Sequence, residues 1–133
     1  MRGLAAVAVT LTLLPACAET TVDPGITAPR SIEATTTVFA PAGTTAELLA
    51  ELVVESGRLS DLIVENEGQR AALARIETLW ALTRDDIAAE RADLLPGFES
   101  AIGLVRTGVE RRRPADADKA HNNLRTLASA YTG

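Results

Sequence analysis

From Thr44 to Tyr131 the apolar residues of this chain recur every three or four positions, and that periodicity decides what the chain can fold into. A 3.6-residue repeat gathers side chains on one face of a helix, whereas a half-buried strand needs a repeat of two. Each apolar stripe must then be covered by another element. Four stripes follow one another. The first runs through Leu48, Leu49, Leu52, Val53, Leu59, Leu62 and Ile63, and the second through Ala72, Leu73, Ile76, Leu79, Trp80, Thr83 and Ile87. The third holds Phe98, Ala101, Ile102, Val105 and Val109; the fourth holds Ala117, Ala120, Leu124, Leu127, Ala128 and Tyr131.

The residues between the stripes set the helix ends. Thr44-Thr45-Ala46-Glu47 has the form of a capping box, in which the Thr44 oxygen accepts from a free amide and Glu47 reaches back. Gly57 lies inside the first stripe and costs about 1 kcal/mol relative to Ala, so a bend is expected there. Asn66-Glu67-Gly68 supplies a stop, with Gly68 available for a left-handed residue. Asp93 and Pro96 mark the next turn, and Pro96 suits the first turn of the third helix, where no amide donor is missed. That helix should end at Arg111-Arg112-Arg113, because Pro114 pushes the residue before it out of the helical region and then opens the fourth helix.

Four amphipathic helices with short links can bury their stripes only against one another. The expected fold is all-α: an antiparallel up-down-up-down four-helix bundle over residues 44–133. Helices of roughly 16 to 24 residues would be about 24 to 36 Å long. Charge adds a pairing rule. Residues 44–67 hold Glu47, Glu51, Glu55, Asp61, Glu65 and Glu67 against Arg58, a balance of −5. Residues 101–133 hold Arg106, Arg111, Arg112, Arg113, Lys119 and Arg125 against Glu110, Asp116 and Asp118, a balance of +3. The first and last helices are neighbours in such a bundle, and opposite signs favour that contact.

Ahead of the bundle the composition changes twice. Residues 18–43 hold three prolines and clusters of threonine with no helical period, and they read as a solvated linker. As a flexible coil it would reach about 25 to 30 Å. Within it Ile32, Ala34, Thr36 and Val38 alternate in strand fashion, which suggests an extended arm with Val38 and Phe39 resting on the domain. Residues 1–16 carry Arg2, an apolar run from Leu4 to Leu14, then Pro15 and Ala16. The run is about half the roughly 20 apolar residues that a membrane-spanning helix needs, so it reads as an export signal to be removed. No Arg-Arg pair precedes it, which points to export as an unfolded chain.

The only cysteine of the chain follows at once, in Leu14-Pro15-Ala16-Cys17, and this sequence resembles the lipobox of bacterial lipoproteins. The resemblance implies that the Cys17 thiol receives a diacylglyceryl group, that signal peptidase II cuts just before it, and that Cys17 becomes the first mature residue. Leu14 and Ala16 fit the pattern, and Pro15 departs from the small or β-branched residue commonest there. Ala16-Cys17-Ala18 also has the small-x-small form of an ordinary signal cleavage, which would leave the mature chain without cysteine. The lone cysteine at this one place favours the lipid reading. The expected organisation is a lipoprotein signal peptide over 1–16, a lipidated Thr/Pro-rich tether over 17–43 and the helical domain over 44–133. Fatty acyl chains such as palmitate bury about 0.8 kcal/mol per methylene, and two hold firmly where one does not. With its cysteine so used the fold has no disulfide and must rest on its core.

Candidate sites inside the bundle are few. Glu47, Glu51 and Glu55 recur every fourth residue, so they share one face and repel one another unless a cation, a neighbouring arginine or water intervenes. They are the weak candidates for a metal, and the solvated face is the plainer reading. Hard cations need several converging oxygens, and the Glu-x-x-His pairs of di-iron bundles are missing from the sequence. His121 is the only histidine, read as satisfied or exposed, and Trp80 reads as core. Arg111 to Arg113 could meet an anionic partner or lipid headgroups, but cations at a helix C-terminus are favoured by its dipole in any case. No catalytic motif is found, so no enzyme activity and no cofactor are expected. Removing residues 1–16 takes away Arg2 and no acid, so the net charge of −5 becomes −6, which disfavours nucleic acid.

Glu110 to Tyr131, ERRRPADADKAHNNLRTLASAY, resembles parts of small actinobacterial envelope proteins, a resemblance that implies a location and no activity. The expectation is a lipid-anchored protein on the extracytoplasmic face of the cell membrane, its bundle an interaction or adaptor module with an envelope protein partner. The alternative is a ligand-binding or metal-binding bundle serving an envelope uptake system.

Overall fold

The computed structural model describes residues 39–133. The signal segment, Cys17 and the linker as far as Val38, with the alternating stretch inside it, lie outside the described residues. Among the described residues every regular element is an α-helix: α1 (Thr45–Gly57), α2 (Leu59–Glu65), α3 (Gln69–Glu90), α4 (Leu95–Glu110) and α5 (Pro114–Thr132).

Helix α1 starts where the capping box requires. Thr44 is extended (φ −71°, ψ 158°), and its hydroxyl oxygen accepts from the Glu47 amide at 3.3 Å. The Glu47 carboxylate in turn accepts from the Thr44 amide at 2.8 Å and from the Thr44 hydroxyl at 2.9 Å. The first expected helix is in fact two, divided at Arg58. Arg58 keeps near-helical angles (φ −92°, ψ −11°), so the ladder is interrupted with little change of backbone angles. Two observations explain the interruption. The Ser56 hydroxyl donates to the Val53 carbonyl at 2.9 Å, supplying that oxygen with a side-chain partner. A Cβ on Gly57 would stand 3.1 Å from Cε1 of His121, so α5 approaches the chain just where it lacks a side chain.

The turn after α2 uses two left-handed residues where one was expected. Asn66 (φ 56°) ends α2 and Gly68 (φ 75°) precedes α3, and the Glu67 amide donates to the Leu62 carbonyl at 3.2 Å. Pro96 sits in the first turn of α4 as expected. The α4–α5 turn closes through the Arg113 amide, which donates to the Gly108 carbonyl at 2.8 Å, while Arg112 takes φ 51°. Arg113 is extended, as the residue before a proline should be, and Pro114 opens α5.

Helix α1 packs on α3 and α5, α4 packs on the same two, and α2 packs on α5 and α3. The stripes meet in one core, with Leu49, Leu52, Leu59, Ile76, Phe98 and Leu124 among its fully buried members. Val53, Leu62, Leu73, Leu127, Ala128 and Tyr131 line its margin half-buried, and Phe39 packs against it too. Trp80 is a core residue as expected, its ring stacked on Phe98 with centroids 5.9 Å apart. Buried Thr83 donates its hydroxyl to the Leu79 carbonyl at 3.0 Å, so it brings no unpaired polar group inside.

The expected contact of the first and last helices is present, but ion pairs do not make it: among the described residues none joins α1 and α5. Bridges run instead from α1 to α3 (Glu55–Arg75, 3.3 Å) and from α3 to α4 (Glu77–Arg106, 2.7 Å; Arg84–Glu99, 3.0 Å). Glu47 and Glu55 of α1 are engaged elsewhere, and Ala46, Ala50 and Val53 of α1 share a surface groove with Arg125, Ala128 and Ser129 of α5.

Two glycines of α4 test this packing in opposite directions. Nothing lies within 4 Å of a Cβ added at Gly103, whereas one at Gly108 would stand 3.2 Å from the backbone nitrogen of Ala117. Gly103→Ala should therefore gain about 0.5–1 kcal/mol of helix propensity, and Gly108→Ala should lose about 1 kcal/mol or more because α5 must move. Urea unfolding of the two variants checks this; equal gains would contradict the close contact of α4 with α5.

Candidate functional site

Glu47, Glu51 and Glu55 share α1 but not a ligand set. Glu47 is exposed and held in the cap, and its carboxyl lies below the usual carboxylate range because the Thr44 amide, then the Thr44 hydroxyl, bond to the charged form. Glu51 is half-buried. Glu55 is buried, 9% exposed, between two guanidinium groups: Arg58 at 3.4 Å on one oxygen and Arg75 at 3.3 Å on the other. Among the described residues no three His, Cys, Asp or Glu side chains converge as a metal would require. The chemistry this arrangement performs is the neutralisation of a carboxylate by α3 and by the residue at the α1–α2 break.

His121 is half-buried on α5 with Nδ1 3.0 Å from the Ser56 hydroxyl oxygen. That separation is within reach of proton transfer, but Ser56 is 1% exposed and its hydroxyl also has the Val53 carbonyl as a partner. The hydroxyl and the imidazole nitrogen are in hydrogen-bond contact, the direction of which is set by the histidine tautomer. The pair fastens α5 to the end of α1. Sixty-five residues separate the two partners, and nothing local in the sequence signals their meeting.

At one end of the helices, the start of α1 meets the ends of α3 and α5. Thr45 donates to Asp86 at 2.5 Å and Tyr131 donates to Glu90 at 2.5 Å. Arg91 grips Asp93 with two nitrogens, each at 3.1 Å, and also donates to the Ala130 carbonyl. At the other end the turn carrying Arg111 to Arg113 faces the turn before α3. Arg113 pairs with Asp116 at 3.2 Å, and Arg112 lines a cleft of about 670 Å³ with Asn66, Gln69, Arg70 and Glu110. A second cleft, of about 300 Å³, lies between α4 and α5 at Gly97, Ser100, Asn123 and Leu127. Among the described residues every buried polar side-chain atom has a hydrogen-bond partner, and no helix is long and apolar enough to cross a membrane. Cys17 lies outside the described residues.

No family model matches the chain, and neither a curated protein nor a solved structure does.

The end cluster makes stability respond to pH at both extremes. The Tyr131 phenol is raised above its ordinary value of 10.0, chiefly by its hydrogen bond to the Glu90 carboxylate and then by burial. A raised folded-state value stabilises the fold fully below the unfolded value and fades as pH rises through the folded one. The Asp93 carboxyl is lowered from 3.8 by the Arg91 hydrogen bonds, so its contribution is present above that value and is lost as pH falls through the folded one. Tyr131→Phe should flatten the alkaline decline in stability and Asp93→Asn the acid decline, read as melting temperature against pH. Parallel curves for variant and wild type would remove both bonds from the account.

The clamp on Glu55 gives a separate expectation. Either arginine alone still partners the carboxylate, so Arg58→Met and Arg75→Met should each cost little. The double variant leaves a nearly buried carboxylate unpaired and should lose about 1–3 kcal/mol, more than the two single losses together. A double-mutant cycle in urea checks it; simple additivity would mean that the two arginines act independently.

Proposed function

We propose that this chain is a bacterial envelope lipoprotein, anchored through Cys17 to the extracytoplasmic face of the cell membrane, with its helical domain serving as a non-catalytic interaction or adaptor module. The observation that carries the reading is the sole cysteine placed directly after Leu14-Pro15-Ala16, behind Arg2 and a short apolar run. In this reading residues 1–16 are removed, residues 17–43 form the lipidated tether, and residues 44–133 stand clear of the lipid on a coil reaching about 25 to 30 Å.

The domain is read as four rods in an up-down-up-down bundle, with α1 and α2 together forming the first. Support comes from the contacts between ends. Thr45 at the start of α1 meets Asp86 near the end of α3, Arg84 near the end of α3 meets Glu99 near the start of α4, and Gly97 at the start of α4 faces Leu127 near the end of α5. An interaction role is favoured over chemistry by the employment of the reactive side chains. Glu47 is part of a cap, Glu55 is paired with two arginines, and His121 is bonded to a buried serine. Acidic charge on the mature chain disfavours nucleic acid as the partner.

Expression in a bacterial host with a lipoprotein-processing pathway tests the anchor. The processed protein should begin at Cys17 and carry the added mass of a diacylglyceryl group, and Cys17→Ser should remain unprocessed or enter the medium. An unlipidated product beginning at Glu19, as cleavage after Ala18 would give, overturns the reading. For the module, cross-linking in cells should capture one envelope protein, with no divalent ion changing the melting temperature. A divalent ion that stabilises the wild type but not Glu51→Gln would replace the adaptor with a metal-binding bundle.

A further inference from the structure

We draw no further inference here: the strongest candidate, the cleft of about 670 Å³ between the α2–α3 turn and the α4–α5 turn, where Arg70 and Arg112 could meet an anion, is built on the uncapped N-terminus of α3, has Glu110 in its wall, and holds no buried unpartnered polar group that would point to a ligand.

Discussion

The closeness of α5 to its neighbours is the contact on which the rest of the packing depends. Its fully buried face is small, Ala117 and Ala120 with only Leu124 as a large member, and glycines meet it at three places. A Cβ would come within 3.1 Å of His121 at Gly57, 2.9 Å of a Leu127 methyl at Gly97 and 3.2 Å of the Ala117 backbone at Gly108. With 3% aromatic content the chain has few large side chains to span wide gaps, and among the described residues the one ring stack is Trp80 on Phe98. Close approach of small faces is the other way to reach interior packing density. The division of α1 from α2, the position of His121 and the tight α4–α5 turn all follow from that approach.

The features that could be read from the sequence are those set by neighbours along the chain. A capping box spans three residues, a proline acts on itself and the residue before it, and an apolar stripe is a repeat within one helix. Hence Thr44, Pro96 and Pro114 stand at their expected stations, and residues of all four stripes meet in the core. The division at Arg58 was less legible. Gly57 signalled weakness, but its partner His121 comes from α5, and Ser56 gave no hint that its hydroxyl would bond the preceding turn. Asn66 is hard to read as a left-handed residue because Gly68 satisfies the same need two positions later, and the structure uses both.

Charge shows the same division between local and distant information. Net balances of −5 and +3 argued for electrostatic pairing of the outer helices, but a sum over a segment does not say which way each side chain is engaged. Glu47 is taken by the cap, a bond within one turn. Glu55 lies where α3 can reach it, and two arginines offset the desolvation that a buried carboxylate would otherwise suffer. Between α1 and α5 there is a surface groove lined by Ala46, Ala50, Val53, Arg125 and Ala128, and a serine–histidine bond. The spacing of Glu47, Glu51 and Glu55, which looks like a ligand face on paper, gives no ligand set, because Glu47 and Glu55 are engaged separately.

The functional reading and the fold draw on different parts of the chain, and they meet at one end of the helices. The proposed anchor at Cys17 lies outside the described residues, and its chemistry asks nothing of the helical domain. The helical domain, for its part, rests on a core formed by the described residues. The junction is Thr44, where the chain preceding the domain joins α1. A domain held by a leash takes a pull first at Phe39, which packs against the core, and then through its first turn, and terminal turns open most readily. Here that turn is closed by the reciprocal Thr44–Glu47 bonds, and Thr45 is tied to Asp86 of α3. Glu90 and Arg91, one turn further along, hold Tyr131 and Ala130 at the end of α5. The polar contacts of this end thus link three helices around the point where a tether would attach, so opening the first turn of α1 requires breaking bonds to a second helix as well as its own.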